Sequence, residues 1–188
     1  MFETCHIRPL AFEDLPEVLA WRNRPEVRQF MFTQHEISIE EHRSWFARAS
    51  VDLTKRLLIV EDAHVPIGFV QLGNVSPGGI ADWGFYARPN APKGSGRKLG
   101  CTALAYAFRK LGLHKVCGQA IESNRPSIAL HNKLGFQQEG VLRDQQRIAG
   151  TYHTLVCFGL LAQEWNPERL VQENTNEKQR PHLFPNKR

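Results

Sequence analysis

Apolar and polar positions along the chain predict alternating strands and helices, which is typical of a mixed α/β domain with a central sheet. The clearest helix covers 96–111, because Leu99, Ala103 and Ala107 recur every four residues. The predicted order is a strand at 5–10, a helix at 12–23, a short helix from 25, a helix after the capping box 38–41, strands at 56–61, 67–72 and 81–87, the helix at 96–111, a strand at 115–121, a helix at 126–134, and a hairpin of strands 137–148 and 151–161.

Periodicity fades near the end of the chain. From residue 166 onward the sequence is polar and contains Pro167, Pro181 and Pro185. We therefore expect one domain over 1–165 and a flexible tail over 166–188.

Composition favours a soluble enzyme in a reducing compartment. Hydrophobic residues make up 41% of the 188 residues, which excludes disorder for the body of the chain. No apolar run has the length of a membrane span, and the first residues lack a signal-peptide pattern. The four cysteines form no C-x-x-C pair. We expect a cytoplasmic protein without a membrane partner.

The charge and the histidines narrow the range of ligands. The net charge of +5 is spread along the chain, without a long basic run. A small polyanionic ligand accounts for it at least as well as nucleic acid does, and we expect no nucleic-acid partner. The eight histidines lack metal-ligand spacing, so we expect no metal. A homo-oligomer is possible.

A glycine-rich loop lies between the strand at 81–87 and the long helix. Two glycines spaced by one residue let the backbone approach an anion, and the first helical amides have no backbone partner. An ordinary loop at a helix start has the same composition, and the last two cations could simply face solvent. The candidate pyrophosphate cradle comprises Lys93, Gly94, Ser95, Gly96, Arg97 and Lys98.

A second motif lies one helix and one strand further on, with Asn124, Ser127 and the run 133–136 of sequence KLGF. Together with the two loop glycines it resembles the GNAT family of acyl-CoA-dependent N-acetyltransferases, over roughly residues 5–163. The chain departs from the family pattern at His131, where the family usually has tyrosine, and at Ala91, where the loop usually begins with a polar residue.

The resemblance implies the GNAT fold and acetyl-CoA as co-substrate. In that fold a mostly antiparallel seven-stranded sheet is flanked by helices, and its fourth and fifth strands splay apart around the thioester. The amine would attack the thioester directly in a ternary complex. A backbone amide at Phe85, Tyr86 or Ala87 would hold the carbonyl oxygen.

The resemblance also implies which residues could transfer protons during the reaction. Glu122 could take the amine proton through a water, or could merely fix its loop. His131 could protonate the leaving thiolate, or could pack on the coenzyme without transferring a proton. Tyr86 could bond a substrate, although strand aromatics are usually core. Asn124 and Ser127 would bind the pantetheine arm, unless Asn124 only caps its helix. Asp82 is a weaker candidate base.

The N-terminal third suggests the amine acceptor. Its residues resemble the family branch that acetylates the 4-amino group of a UDP-linked 4-amino-4,6-dideoxy-N-acetyl-altrosamine in pseudaminic acid biosynthesis, for flagellin or surface glycans. Arginines would bind the diphosphate, unless they form surface ion pairs, and aromatic rings would contact uracil, unless they are core. The candidates are Arg22, Asn23, Arg28, His42 and Trp45.

Two other functions agree with the same motifs. One is an N-terminal acetyltransferase of the ribosomal-protein type, which needs an open groove for a peptide. The other is a module that senses acyl-CoA without turnover, since the glycines and Asn124 imply only coenzyme binding.

Overall fold

The computed structural model describes residues 4–167. Two non-α turns accompany the helices, a 3-10 turn at Phe12–Asp14 and a π-helical turn at Tyr106–Lys110. The strands are β1 (Cys5–Pro9), β2 (Arg56–Asp62), β3 (Val65–Gly73), β4 (Ile80–Ala87), β5 (Lys115–Ile121), β6 (Gln137–Ile148) and β7 (Thr151–Leu161). The helices are α1 (Leu15–Asn23), α2 (Pro25–Arg28), α3 (Ile39–Ala49), α4 (Ser95–Ala105) and α5 (Arg125–Lys133).

The seven strands form one sheet in the order β1-β2-β3-β4-β5-β7-β6. All neighbours are antiparallel except β4 and β5, which run parallel. These two strands pair only from Ile80–Lys115 to Asp82–Cys117. Beyond that point β4 remains bonded to β3 and β5 to β7, so a gap opens between them. The predicted fold class, with its splayed fourth and fifth strands, is confirmed.

Helices cover both faces of the sheet. In β2 the side chains of Leu58 and Val60 join the large core beneath α4, whereas Leu57 and Ile59 join a second core with α1. Successive strand residues point to opposite faces, which explains why β2 is apolar at four consecutive positions. We call the two surfaces the α4/α5 face and the α1/α3 face.

Helix α4 lies close against β3 because the strand has a glycine there. A Cβ at Gly68 would lie 2.7 Å from the carbonyl oxygen of Tyr86 and would also strike Leu99. This contact fixes the height of α4 above the sheet, and with it the position of the loop that precedes the helix.

Several element ends differ from the predicted ones, and two of these differences change the local structure. The predicted helix 96–111 is α-helical only to Ala105, and its last turn is π-helical, with Leu111 N donating to the Tyr106 carbonyl at 3.0 Å. The β2–β3 turn is tighter than predicted, because Ala63 and His64 both adopt positive φ and close a two-residue turn.

The end of the described chain packs on this π-helical turn. The Trp165 ring lies 5.5 Å from that of Phe108 and beneath the guanidinium of Arg109. Most of the predicted tail, 168–188, lies outside the described residues, so the domain division stays a prediction. No helix within residues 4–167 is long and apolar enough to cross a membrane.

Candidate active site

The gap between β4 and β5 is a cavity of ≈ 360 Å³. The two splayed strands, the start of α5 and the loop after α2 enclose it. Its lining residues are Phe30, Met31, Phe32, Asp82, Trp83, Gly84, Phe85, Cys117, Gly118, Gln119, Ala120, Ile121, Asn124, Ser127 and His131.

This cleft passes through the sheet. Trp83 and Phe85 belong to the core of the α4/α5 face, while Asp82 and Gly84 alternate with them and point to the α1/α3 face. A Cβ at Gly84 would meet no atom within 4 Å, so the strand leaves open space on that side. Two substrates can therefore meet in the gap from opposite faces of the sheet.

The β4 backbone can polarise a carbonyl placed in the gap. Arg88 N donates to the Ile67 carbonyl of β3 at 2.8 Å. Since strand amides alternate in direction, the amides of Phe85 and Ala87 point away from β3 and toward the gap. Tyr86 N points the other way. Of the three predicted amides, Phe85 and Ala87 therefore have the geometry of an oxyanion donor.

His131 lies in the cleft wall and is only 1% exposed. Its Nδ1 lies 2.8 Å from the Ser127 carbonyl, and its Nε2 accepts a hydrogen bond from Trp83 Nε1 at 3.1 Å. A Cβ at Gly118 would lie 2.6 Å from Trp83 Nε1 and would also strike His131, so β5 needs glycine at this position. Burial lowers the pKa of His131.

Glu122 follows β5, but its side chain is exposed and is not part of the cleft lining. Its backbone N donates to the Thr154 carbonyl at 3.0 Å. The carboxylate that does line the cleft is Asp82, which accepts a hydrogen bond from Asn74 Nδ2 at 2.7 Å. Tyr86 points to the same face of β4 as Asp82, the α1/α3 face, where burial raises the pKa of its hydroxyl.

The glycine-rich loop, predicted to be a pyrophosphate cradle, leads directly into helix α4. Gly94 caps α4 with a φ of +94°, which favours glycine, and a Cβ there would point into open space. Its carbonyl accepts from Arg97 N and Lys98 N, both at 3.1 Å, so these amides belong to the helix. Ser95 N is also engaged, with the Pro92 carbonyl at 3.0 Å.

The side chains of the loop do not all point to this open space. The Lys98 ammonium forms an ion pair with Asp62 at the end of β2, and this contact is the main reason why the pKa of Asp62 is lowered. Lys98 is thus held against the sheet, whereas Lys93 is exposed beside Gly94. Lys93 and Gly94 are the exposed members of the predicted pyrophosphate set, and its phosphate role stays a prediction.

Asn124 and Ser127 lie at the start of α5, one to two turns before His131. The Asn124 side-chain oxygen accepts from Ser127 N at 3.2 Å and so caps α5. Both residues also line the cleft. The capping role is therefore present, and the Ser127 hydroxyl lies 3.5 Å from His131 Nδ1. Binding of a pantetheine arm by these two residues stays a prediction.

A second pocket, of ≈ 340 Å³, lies on the α1/α3 face. The rings of His42 and Trp45 stack in it at 5.1 Å. Burial, and secondly the charge of Arg22, lower the pKa of His42. The lining residues are Arg22, Thr33, Ile37, Glu41, His42, Trp45, Arg48, Phe69, Gln71 and Tyr86.

The loop between α2 and α3 joins the two sites. Its residues Phe30–Phe32 border the cleft, while Thr33 and Ile37 border the second pocket. Arg22 Nη2 donates to the Thr33 carbonyl at 2.7 Å and fixes this loop.

Two predicted acceptor residues lie outside the second pocket. The Asn23 side-chain NH₂ donates to the Ile37 carbonyl at 2.8 Å, and its oxygen accepts from Ile37 N at 2.9 Å, so Asn23 supports the loop. Arg28 pairs with Glu36 at 3.7 Å. This ion pair is the alternative role that the sequence left open for Arg28.

The fold and the cleft define an acyl-CoA-dependent acyltransferase, and comparison with known proteins agrees. The chain belongs to the GNAT family, because the acetyltransferase (GNAT) domain matches residues 5–137. It is 27% identical over 136 residues to the acetyltransferase PseH of Campylobacter jejuni strain 81-176, covering 72% of this chain and 85% of the relative.

Spermidine acetyltransferases are similar as well. The spermidine N(1)-acetyltransferase of Vibrio cholerae is 28% identical over 162 residues, covering 85% of this chain and 94% of the relative. A crystal structure of the Vibrio cholerae spermidine N-acetyltransferase with CoA and spermine superposes with a TM-score of 0.78 at 27% identity, covering 86% and 97% of the two chains. The predicted acetyl-CoA-dependent acetyltransferase activity is confirmed.

Part of the cleft wall was not predictable from the motifs. The sequence places Trp83 in the strand 81–87 and indicates no site role for Phe30 or Phe32, although all three line the cleft. The glycine of β5, Gly118, was the available signal, since glycine inside an apolar strand often marks a close approach by another group.

Proposed function

We propose that this enzyme transfers the acetyl group of acetyl-CoA to the 4-amino group of a UDP-linked 4-amino-4,6-dideoxy-N-acetyl-altrosamine. The observation that carries the proposal is the second pocket, where Arg22 lies beside the stacked rings of His42 and Trp45. A guanidinium suits a diphosphate, and an aromatic wall suits a planar base. The similarity to PseH supports the same acceptor.

The charges of the second pocket favour an anionic acceptor over a polyamine. Two guanidiniums, from Arg22 and Arg48, line it. The one carboxylate in its lining, from Glu41, is engaged by His35 Nε2 at 2.9 Å. The buried Nη1 of Arg22 has no hydrogen-bond partner within the described part of the chain. An anionic ligand in the pocket would accept a hydrogen bond from it.

The two sites together give a direct transfer. The coenzyme would lie with its pyrophosphate at Gly94 and its thioester in the gap, where the Phe85 amide polarises the carbonyl. The amino sugar would enter from the α1/α3 face, past Gly84. Holding both substrates together makes a covalent intermediate on the protein unnecessary.

The amine must lose a proton when it attacks. Asp82 lines the cleft on the acceptor side and is better placed than Glu122 to receive this proton, directly or through water. Glu122 would contribute by shaping the rim after β5.

A polyamine acceptor is the second candidate, because the spermidine N(1)-acetyltransferases match more of the chain than PseH does. A polyamine needs carboxylates along its length. Among the residues lining the two sites, Asp82 and Glu41 are the carboxylates, and both already hold hydrogen bonds.

Calorimetry with UDP and with spermidine separates the two acceptors. We expect UDP to bind, and Arg22→Gln to weaken UDP binding about tenfold, the loss of one charge-assisted hydrogen bond. The matched control is Arg43→Gln, which removes an exposed arginine of α3 that lies over Phe12, outside the pocket. Binding of spermidine without binding of UDP would contradict the proposal.

A further inference from the structure

The two nitrogens of the His131 ring have different, fixed roles. The Ser127 carbonyl can only accept, so Nδ1 at 2.8 Å carries a hydrogen. The Trp83 indole N–H can only donate, so Nε2 at 3.1 Å presents its lone pair. The ring is therefore neutral, and neither of its nitrogens offers a proton to the cleft.

The surroundings of the ring keep it neutral. Phe158 stacks on it at 4.6 Å, and Phe136 and Phe85 lie at 5.1 and 5.7 Å. The groups packed against it from β4, β5, α5 and β7 are aromatic rings, a glycine and a serine. Burial is the main cause that lowers its pKa, and no charged group within the described residues contributes.

We propose that His131 is a positioning residue that holds Trp83 as the wall of the cleft, and that the coenzyme A thiolate leaves without a proton from His131. The bond between them joins α5 to β4 across the gap, at the level where β4 and β5 separate. The proposal rests on acetyl transfer and is independent of the acceptor's identity.

The chemistry balances without an acid on the protein. The amine nitrogen forms its bond to the carbonyl carbon, and the carbon–sulfur bond then breaks with its electron pair on sulfur. The proton lost by the amine passes to water or to the carboxylate on the acceptor side. The sulfur leaves as a thiolate, which is acceptable because a thiol has a pKa of about 8.5, and it takes a proton from solvent afterwards.

Substitution by glutamine tests this role. In His131→Gln the side-chain oxygen can accept from Trp83 and the NH₂ can donate to the Ser127 carbonyl, with no titratable group. We expect kcat to fall less than about threefold and the pH profile of kcat to keep its shape, whereas loss of a general acid costs about 10²–10⁴-fold. Trp83→Phe, which removes the donor, should raise the KM for acetyl-CoA more than it lowers kcat.

Nitrogen NMR of the imidazole in the unmodified enzyme gives a readout that needs no variant. We expect a protonated Nδ1 and an unprotonated Nε2 throughout neutral pH. A protonated Nε2 would overturn the proposal. So would a folded His131→Gln enzyme whose kcat falls 100-fold or more at unchanged KM for acetyl-CoA.

Discussion

At the residue scale, two positions of the site have a fixed conformation, one in the backbone and one in a side chain. Gly94 has a φ of +94° at the start of α4, and His131 has both nitrogens engaged. The two motifs predicted that these positions matter. The sequence did not predict the partner of His131, because Trp83 lies 48 residues away and meets it only after β4, β5 and α5 have packed.

Gly94→Ala tests the cradle. Alanine in the left-handed region costs about 1–2 kcal/mol, so we expect a lower free energy of unfolding and weaker acetyl-CoA binding by calorimetry. Gly112→Ala is the matched control, because Gly112 also has positive φ and open space around it but follows the π-helical turn. Equal acetyl-CoA affinity in both variants would remove the phosphate role from the loop.

At the scale of elements, the sequence pattern predicted all seven strands of the sheet and the five α-helices. The predicted and observed elements differ at their ends. The final turn after α4 widens into a π-helical turn, because its geometry depends on what packs around Phe108 and Trp165. The roles of Asn23 and Arg28 were also beyond the sequence, since both are decided by the path of the loop between α2 and α3.

Helix α3 carries the aromatic wall of the second pocket, so its stability matters for acceptor binding. The Ser38 hydroxyl accepts from Glu41 N at 3.1 Å and caps the helix as predicted, although the Glu41 carboxylate bonds His35 instead of closing the capping box. Ser38→Ala should lower the free energy of unfolding by about 1 kcal/mol in denaturant titrations.

The exposed Ser44 inside α3 is the control for the cap. Ser44→Ala should change stability by less than about 0.5 kcal/mol, because alanine is the better helix former. Equal losses in the two variants would show that the Ser38 hydrogen bond does not stabilise the helix.

At the scale of the whole molecule, the main feature is the gap between β4 and β5 in the central sheet. Because β4 and β5 pair over only three residues, the gap connects the face of the glycine loop with the face of the arginine-containing pocket. The resemblance to the GNAT family, which the two motifs carry, predicted this gap. The sequence could not predict that the loop between α2 and α3 borders the cleft at Phe30–Phe32 and the second pocket at Thr33 and Ile37, because this arrangement depends on long-range packing. A homo-oligomer stays a prediction.

Initial-rate kinetics with product identification test the central claim most directly. The purified enzyme is given acetyl-CoA with either the UDP-linked 4-amino sugar or spermidine, and thiol release is followed while mass spectrometry identifies the product. We predict thiol release coupled to a single N-acetylation of the amino sugar, with intersecting double-reciprocal plots that indicate a ternary complex. A higher kcat/KM for spermidine would contradict the proposed acceptor, and thiol release with parallel plots would contradict direct transfer.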